Sequence, residues 1–221
     1  MKYNTVVITG SNGATARELI RYFSTISTHV VGITRHSKEK FVENNVDILT
    51  ADMKNRQEAN SISQEIVNRY QTIDVWINCI GGFDMGPSIK DDHENWERMH
   101  NINFLTCLYG SQAALLHMTN QNNGQIINIG SQAALEGFPN AAAYLVSKSS
   151  VHMLTRLIAL ENTDNNIRVN AVLPGIIDTK ANRDAMPNED FSAWQTPLHI
   201  AKTIERTIDS NESGMLVSVD N

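Results

Sequence analysis

The sequence predicts one doubly wound α/β domain, in which a mainly parallel sheet of seven strands is flanked by helices on both faces. Short apolar or β-branched runs alternate with segments of helical periodicity, which is typical of strand–helix–strand units. The run 73–80 is almost continuously apolar, as expected for a strand covered on both faces. The 221 residues are 41% hydrophobic, and no linker, repeat or low-complexity run divides them. A single domain over 1–221 is therefore expected.

Seven runs are predicted as strands because they are rich in apolar or β-branched residues and end at turn residues. They are 5–9, 29–34, 46–51, 73–80, 124–130, 167–173 and 214–219. Apolar residues at helical spacing predict the helices between them. These are one through Leu19, Ile20 and Phe23, one over 59–70, one that starts within 91–96, one over 102–118, one that opens at Tyr144, and one over 197–208.

Composition and charge exclude several classes of protein. The net charge is −6 with a pI near 5.6, and no basic stripe is visible, which argues against a nucleic-acid or anionic-membrane surface. No signal-peptide pattern or apolar run of about 20 residues is present, so we expect a cytoplasmic protein. Cys79 and Cys107 lie in apolar segments and are expected to be reduced core thiols. The histidines have no ligand spacing, and no metal site is predicted.

A turn of small residues follows the first strand. Gly10 and Gly13 have the spacing Gly-x-x-Gly-x-x-Ala, with Ala16 where a third glycine would be expected. Such a turn lets the backbone approach a pyrophosphate, and the helix behind it offers free N–H groups. The loop alone is consistent both with a Rossmann-type dinucleotide site and with a plain strand–helix turn.

The ends of later strands carry further candidate ligand-binding residues. Thr34 and Arg35 end the second strand, where an acidic residue would bind the ribose 2′-hydroxyl of NAD and an arginine can accommodate the 2′-phosphate of NADP. NADP(H) is therefore favoured, NAD(H) stays possible, and an ordinary solvated charge cluster at 35–38 is the alternative. The pair Gly81-Gly82 follows the fourth strand, at the edge where such sheets bind ligands.

Tyr144 and Lys148 stand four residues apart at the start of a helical stretch. Positions i and i+4 lie on the same face of a helix, so the phenol and the ammonium can face one cleft. The positive charge is expected to lower the pKa of the tyrosine and to make it a better proton donor and acceptor near neutral pH. A boundary tyrosine beside a solvated lysine is the alternative reading of this pair alone.

Taken in order, these residues resemble the short-chain dehydrogenase/reductase family, and the resemblance runs nearly from end to end. It rests on Thr9-Gly10, Asp52 after the third strand, Asn78-Cys79-Ile80-Gly81 for the family's Asn-Asn-Ala-Gly, Asn103 seven residues after Trp96, Ser131 after the fifth strand, Tyr144 thirteen residues later, Lys148, and 174–179 after the sixth strand. The match of so many positions in order is highly specific.

Within the family, the chain resembles the dihydropteridine reductases most, above all from 133 onward. The similar segments are 133–139, 149–152, 171–179, 182–183, 186–187, 190–192, Trp194 and 196–198, together with Gly13-Ala14 and 81–83. Ser131 is a departure, since the vertebrate-type pteridine enzymes carry a small apolar residue there. Arg35 suggests NADPH where those enzymes prefer NADH. Ala16 and Cys79 replace the usual glycine and asparagine.

The resemblance implies roles for four residues in hydride transfer to a carbonyl or imine-like carbon. Tyr144 would be the general acid, and Lys148 would hold the nicotinamide ribose and lower the pKa of the tyrosine. Ser131 would hydrogen-bond the substrate, and Asn103 would anchor a water that links Lys148 to solvent. The cofactor would be bound by Gly10, Ser11, Asn12, Gly13, Ala14, Thr34, Arg35, Asp52, Met53, Asn78, Gly81, Tyr144, Lys148, Pro174, Gly175, Ile177 and Thr179.

The substrate would lie under a lid formed by 178–196. Expected substrate contacts are Gly82, Phe83, Ser131, Met186, Phe191 and Trp194. Phe191 and Trp194 could stack on a flat ring, or could simply close the core beneath a loop. Quinonoid dihydropterin is favoured as the substrate, and a 3-oxoacyl group, a sugar ketone or a quinone is the alternative. A non-catalytic NADP-sensing protein is the third hypothesis.

The same resemblance implies a homodimer or a homotetramer with a small-molecule substrate. The helices over 103–118 and 144–160 are those that pair across dimers in the family.

Overall fold

A computed structural model of the protein describes residues 1–36, 41–88 and 93–220. The strands in these ranges are β1 Tyr3–Thr9, β2 Ser27–Thr34, β3 Val46–Thr50, β4 Val75–Asn78, β5 Gly124–Ile129, β6 Ile167–Leu173 and β7 Leu216–Ser218. They form one sheet in the order β3-β2-β1-β4-β5-β6-β7, and every neighbouring pair is parallel. The predicted doubly wound fold is therefore confirmed.

Helices cover both faces of the sheet. They are α1 Ala14–Ser24, α2 Arg56–Tyr70, α3 His93–Met99, α4 Thr106–Gln121, α5 Ala133–Glu136, α6 Ala142–Glu161, α7 Lys180–Ala185 and α8 Pro197–Asp209. The apolar residues of α1 and α8 form a core on one face, and those of α2, α4 and α6 form a core on the other. No helix in the described part of the chain combines the length and the apolar character that crossing a membrane requires.

The topology places a crevice at the carboxyl ends of β1 and β4. The chain runs outward from β1 through β2 to β3 and then returns to the other side of β1 as β4. Loops leave neighbouring strands in opposite directions at such a switch point, which is where ligands bind in open α/β sheets. The turn after β1 packs closely on the loop after β4: a Cβ atom added at Gly10 would lie 3.0 Å from Cγ1 of Ile80.

The fourth strand is shorter than the sequence predicts. It ends at Asn78 because the N–H of Cys79 donates to Oγ1 of Thr9, at 3.0 Å, in place of a neighbouring strand's carbonyl. Ile73, at the start of the predicted run, is fully buried although it lies before the strand. The hydrophobic pattern therefore predicted which of these residues are buried, but not where the hydrogen-bonded strand begins and ends.

The predicted helix over 102–118 begins instead with a π-helical segment, His100–Leu105, between α3 and α4. A π turn holds one more residue than an α turn and often occurs at functional sites. Here it contains Asn103, whose amide bonds the loop after β4. The sequence places a helix start within 91–96; Asp91 lies outside the described residues, as do Ser37 and Lys38 of the predicted charge cluster.

Candidate active site

Tyr144 and Lys148 lie on the first two turns of α6, at the carboxyl edge of the sheet. Nζ of Lys148 donates to the carbonyl oxygen of Ile129, the last residue of β5, at 2.8 Å. The lysine is buried, and this burial lowers its pKa. The helix thus brings the ammonium to the end of β5 and sets the phenol one turn before it.

Burial raises the pKa of Tyr144, and a hydrogen bond with the Ser131 side chain opposes that rise. This corrects one expectation from the sequence, because Ser131, not Lys148, is the group that lowers the pKa of the phenol. The physical reason is that the ammonium of Lys148 is directed to the Ile129 carbonyl. The Tyr144 hydroxyl therefore keeps its proton at neutral pH, as a general acid requires.

The backbone of Ser131 is hydrogen-bonded to a histidine that the sequence did not single out. The backbone N–H of Ser131 donates to Nε2 of His152 at 3.3 Å. A Cβ atom added at Gly130 would lie 2.6 Å from the same nitrogen, so only glycine allows this approach. His152 lies one turn after Lys148 on the buried face of α6, and that i+4 spacing was the available signal.

His152 is neutral in the folded protein. Burial lowers its pKa to about 4, and the charges of Lys148 and Arg156 act in the same direction. Because Nε2 accepts a hydrogen bond from Ser131, we assign the ring proton to Nδ1.

Asn103 fixes the loop that follows β4. Its Oδ1 accepts the Gly82 N–H at 2.9 Å, and its Nδ2 donates to the Gly82 carbonyl and to Oγ of Ser147, both at 3.0 Å. A Cβ atom added at Gly81 would lie 3.2 Å from Nζ of Lys148. Both amide protons are thus used within the protein, so the side chain positions the loop, and the predicted water stays a prediction.

The turn after β1 has the form that a dinucleotide diphosphate needs. Gly10 has φ +80°, and the Gly13 N–H donates to the Gly10 carbonyl at 2.8 Å. The first turn of α1, from Ala14, contains no acidic residue, and Gly13 gives it no side-chain cap, so its N–H groups can face an anion. Oγ of Ser11 is buried and has no hydrogen-bond partner among the described residues. The residues present therefore fit a bound dinucleotide.

The end of β2 lies beside this turn. Asn12 joins the two by donating from Nδ2 to Oγ1 of Thr34 at 2.8 Å and to the carbonyl oxygen of His36 at 2.9 Å. Nε of Arg35 donates to Nε2 of His36 at 3.0 Å, and both side chains are exposed. Within the described ranges, Arg35 forms no ion pair with a carboxylate.

Two predicted cofactor ligands lie next to β3 in different environments. Asp52 accepts the Lys54 N–H at 3.0 Å and is half-buried at the carboxyl edge of the sheet. Met53 is buried and packs in the core with the apolar face of α2. Any contact of Met53 with a cofactor is therefore left to its backbone.

The side chain of Asn78 is directed into the core, so the predicted contact with a cofactor is left to its backbone and stays a prediction. Its Oδ1 accepts Nε1–H of Trp76 at 2.9 Å, and its Nδ2 donates to Oγ of Ser111 at 3.0 Å and to Oδ1 of Asn128 at 2.9 Å. A Cβ atom added at Gly110 would lie only 2.1 Å from Asn78 Oδ1. This amide therefore links β4, α4 and β5 instead of facing the crevice.

Gln195, a second residue that the sequence analysis missed, orders the segment after β6. Its Oε1 accepts the Gly175 N–H at 2.7 Å, and its Nε2 donates to the Val219 carbonyl at 2.5 Å. Its backbone also pairs with Ile176 and Asp178. The predicted cofactor residues Pro174, Gly175, Ile177 and Thr179 all lie on or beside this braced segment.

The segment over 178–196 contains α7 and a short 3₁₀ turn, so it is more regular than the sequence predicts. Trp194 is buried, and its ring lies 4.6 Å from that of Phe191. The guanidinium of Arg183 lies 4.8 Å from the Phe191 ring and donates two hydrogen bonds to Asp178. The rings of Phe191 and Trp194 therefore pack against each other. This supports the expectation that they close the core beneath the loop, over the expectation that they stack on a substrate ring.

Phe83, a predicted substrate contact, packs against Tyr144. Its ring meets that of Tyr144 edge-on, with the centroids 4.9 Å apart. Gly82 lies next to it under the Asn103 amide, and Met186 is half-buried at the end of α7. The mouth of the crevice, at the carboxyl edge of the sheet, is therefore formed by the side chains of Ser131, Tyr144 and Phe83.

Known proteins share both the sequence and the fold. Residues 4–190 match the family described as short chain dehydrogenase. The chain is 29% identical to 3beta-hydroxysteroid dehydrogenase 1 of Eggerthella lenta, over 87% of this chain and 78% of that protein. It is 28% identical to the 3-oxoacyl-acyl-carrier-protein reductase FabG of Thermotoga maritima, over 79% of this chain and 76% of that protein.

Among solved structures, ElxO with NADP bound superposes with a TM-score of 0.91 at 27% identity, covering 100% of this chain and 98% of that chain. The ligand-free aldohexose dehydrogenase of Thermoplasma acidophilum gives a TM-score of 0.88 at 25% identity, covering 99% and 93%. The crevice, the paired tyrosine and lysine, and these likenesses agree. The chain belongs to the short-chain dehydrogenase family and is an NAD(P)-dependent oxidoreductase.

Proposed function

We propose that the protein is an NADPH-dependent reductase of ketones. The observation that carries this proposal is the arrangement of three side chains at one edge of the sheet: the Ser131 hydroxyl beside the Tyr144 phenol, with the buried ammonium of Lys148 one helical turn away. Both hydroxyls can reach one carbonyl oxygen, and the ammonium can hold the ribose of a bound nicotinamide beside them. This is what proton-coupled reduction of a C=O bond needs.

The chain's own residues manage the proton and the geometry. A bound reduced nicotinamide would supply the hydride to the carbonyl carbon. Tyr144 gives its hydroxyl proton to the carbonyl oxygen, and Ser131 holds that oxygen by a hydrogen bond. The Ser131 hydroxyl, which lowers the pKa of the phenol, stabilises the resulting phenolate. Lys148 would hold the nicotinamide ribose, and Asn103 keeps the Gly81-Gly82 loop against the ammonium. The raised pKa of Tyr144 suits the direction of reduction, because the acid starts protonated.

The preference for NADPH is supported by the end of β2. Arg35 is exposed beside the Gly10–Gly13 turn and forms no ion pair with a carboxylate of the described residues. A guanidinium in this position can bind a 2′-phosphate by charge-assisted hydrogen bonds. ElxO, the similar structure, was solved with NADP and, as a variant with phenylalanine in place of one tyrosine, with NADPH.

Quinonoid dihydropterin is the second candidate substrate. It is supported by the resemblance of 171–198 to the dihydropteridine reductases, whereas none of the relatives named above is such an enzyme. Trp194 is buried and so does not offer a free face to a flat ring. Ser131 favours a carbonyl oxygen as the hydrogen-bond partner. A ketone is therefore the favoured substrate.

A comparison of substrates tests the function. The purified protein is given NADPH, or NADH, with a panel of ketones and with freshly generated quinonoid dihydropterin, and loss of the reduced nicotinamide is followed. We expect ketone reduction that is faster with NADPH and that Tyr144→Phe slows by about 10²- to 10⁴-fold. Fast turnover of the pterin without any ketone turnover would favour the second candidate. Cofactor binding without turnover of any substrate would favour a sensing protein.

We also propose that the protein acts in the cytoplasm as a homodimer or homotetramer. Support comes from α6, where Met153, Leu157 and Leu160 are exposed on the helix surface, and from Leu116 on the neighbouring α4. Apolar patches of this kind mark interfaces between proteins.

A further inference from the structure

Large apolar side chains surround the mouth above Tyr144. The loops after β4, β5 and β6 expose Phe83, Met85, Leu135, Phe138 and Ile176, each by more than a third of its surface. These five residues are called the apolar rim below. The three strands are neighbours in the sheet and all parallel, so their carboxyl ends and the loops that follow meet at one edge.

Contacts join these loops into one wall. Phe83 lies edge-on against the Tyr144 ring, at 4.9 Å between centroids. The Gly86 N–H donates to the Asn140 carbonyl at 2.7 Å, which ties the loop after β4 to the loop after β5. The apolar rim therefore begins at the catalytic phenol and extends across two loops that are fixed to each other.

In the part of the chain that the structure describes, the loops of the rim, over 81–88, 130–141 and 174–179, carry no lysine or arginine. The carboxylates next to Phe83 and near Ile176 are already paired, Asp84 with Arg98 and Asp178 with Arg183. Glu136, beside Leu135, is exposed and would repel an anion. A phosphate or carboxylate on the substrate would find no lysine or arginine among the described residues of these loops.

We infer that the enzyme acts on uncharged ketones that carry an apolar chain or ring next to the carbonyl, with the apolar rim covering that body. The inference rests on the proposed function and names its substrate class. In the reaction, the carbonyl carbon accepts a hydride from NADPH, and its oxygen accepts the proton of Tyr144. The products are a secondary alcohol and NADP⁺, and the phenol regains a proton from solvent.

A homologous series of methyl ketones tests the inference. The specificity constant kcat/KM is measured with NADPH for unbranched methyl ketones of increasing chain length, and for the same ketones ending in a carboxylate. Burying one methylene contributes about 0.8 kcal/mol, so kcat/KM should rise about two- to fourfold per carbon until the rim is spanned. The carboxylate-ended ketones should be at least about tenfold poorer than uncharged ketones of equal length.

Variants locate the effect at the rim. Met85→Ser and Leu135→Ser should reduce the gain per carbon, and Met85→Leu should restore it. Met215→Ser is the matched control, because Met215 is also exposed but precedes β7, at the opposite edge of the sheet. It should keep the wild-type dependence on chain length.

Two results would overturn the inference and are distinguishable. If ketones are reduced but kcat/KM does not change with chain length, or changes equally in Met85→Ser and Met215→Ser, the substrate class is wrong while the proposed function stands. If folded wild-type protein reduces no ketone of the series, both fail.

Discussion

His152 accepts the backbone N–H of Ser131 at 3.3 Å, so one helix holds the Tyr144 phenol, the Lys148 ammonium and the loop that carries the Ser131 hydroxyl. Tyr144, Lys148 and His152 follow each other at intervals of four residues on α6. Tyr144 faces the mouth. Lys148 donates to the carbonyl of Ile129 at the end of β5, and His152 accepts the N–H of Ser131, two residues further along the chain. The relative position of the two hydroxyls is therefore set by the rigidity of a single helix.

His152 should make stability depend on pH. Its pKa falls from an ordinary 6.5 to about 4 in the folded protein, so folding favours the neutral ring. This contribution is fully present above pH 6.5 and is lost as the pH falls from 6.5 through 4, because the unfolded chain then binds the extra proton. Lys148 and Arg156 add to the effect, and Gly130, Ser131 and Leu173, which face the ring from β5 and β6, carry no charge.

The test compares urea unfolding of wild type and His152→Gln at several pH values between 7.5 and 5. Wild type should lose on the order of 1–2 kcal/mol more than the variant over that range, since one unit of pKa is worth about 1.4 kcal/mol. His93→Gln is the control, because His93 is exposed on α3. Equal pH dependence in all three proteins would contradict the assignment of His152.

Tyr144→Phe should lower kcat by about 10²- to 10⁴-fold, because it removes the positioned proton donor. NADPH affinity should stay within about twofold, since the phenyl ring keeps its packing against Phe83. Stopped-flow turnover and quenching of tryptophan fluorescence measure the two quantities. Tyr109→Phe, a half-buried tyrosine of α4, serves as the control and should behave as wild type. Full activity of Tyr144→Phe would remove Tyr144 from the reaction.

Arg35→Ser should weaken NADPH binding and leave NADH binding almost unchanged. A hydrogen bond between charged groups is worth about 1.5–3 kcal/mol, so the dissociation constant for NADPH should rise about 10- to 100-fold. Fluorescence titration with both cofactors gives the ratio. Arg69→Ser removes a comparable exposed arginine from α2, where Arg69 is paired with Glu65, and should change neither constant. An equal loss for both cofactors would show that Arg35 does not discriminate between them.

Leu157→Glu should convert the proposed oligomer to a monomer. Leu157 is exposed in the last third of α6, with Met153 one turn before it on the same face, and a buried carboxylate there would have no partner. Light scattering after size-exclusion chromatography measures the mass. Leu135→Glu, at the active-site mouth, is the control and should keep the wild-type mass. A monomeric wild type, or an unchanged Leu157→Glu, would contradict the proposal.

The sequence predicted the fold because its evidence is local. β-branched runs such as 6–9 and the apolar faces of α1 and α8 are visible within a few residues, and they predict the number of strands and the doubly wound arrangement. Short motifs likewise singled out Tyr144, Lys148 and Ser131, which lie together in the structure. Contacts that depend on partners distant in the sequence were not predicted.

Three residues illustrate the limit. Asn78 lies in the crevice by position, but its amide turns inward to Asn128, 50 residues away in the chain. Gln195 reaches Gly175 across 20 residues, in a stretch that reads as an irregular lid. Trp194 looked available to a ligand and is buried. In each case packing against residues distant in the sequence decides where the side chain points. The spacing of residues along the sequence therefore does not predict that direction.

Asn78→Ala should reduce stability and leave the affinity for NADPH nearly unchanged. The substitution leaves Nε1–H of Trp76 and Oδ1 of Asn128 buried without their partner, and each unpaired group costs about 1–3 kcal/mol. Urea unfolding should therefore show a loss of about 2–4 kcal/mol. Asn12→Ala is the complementary variant, because Asn12 is exposed and joins the turn after β1 to Thr34. It should weaken NADPH binding with little effect on unfolding. If Asn78→Ala instead weakened NADPH binding as much as Asn12→Ala does and unfolded like wild type, Asn78 would be a cofactor ligand after all.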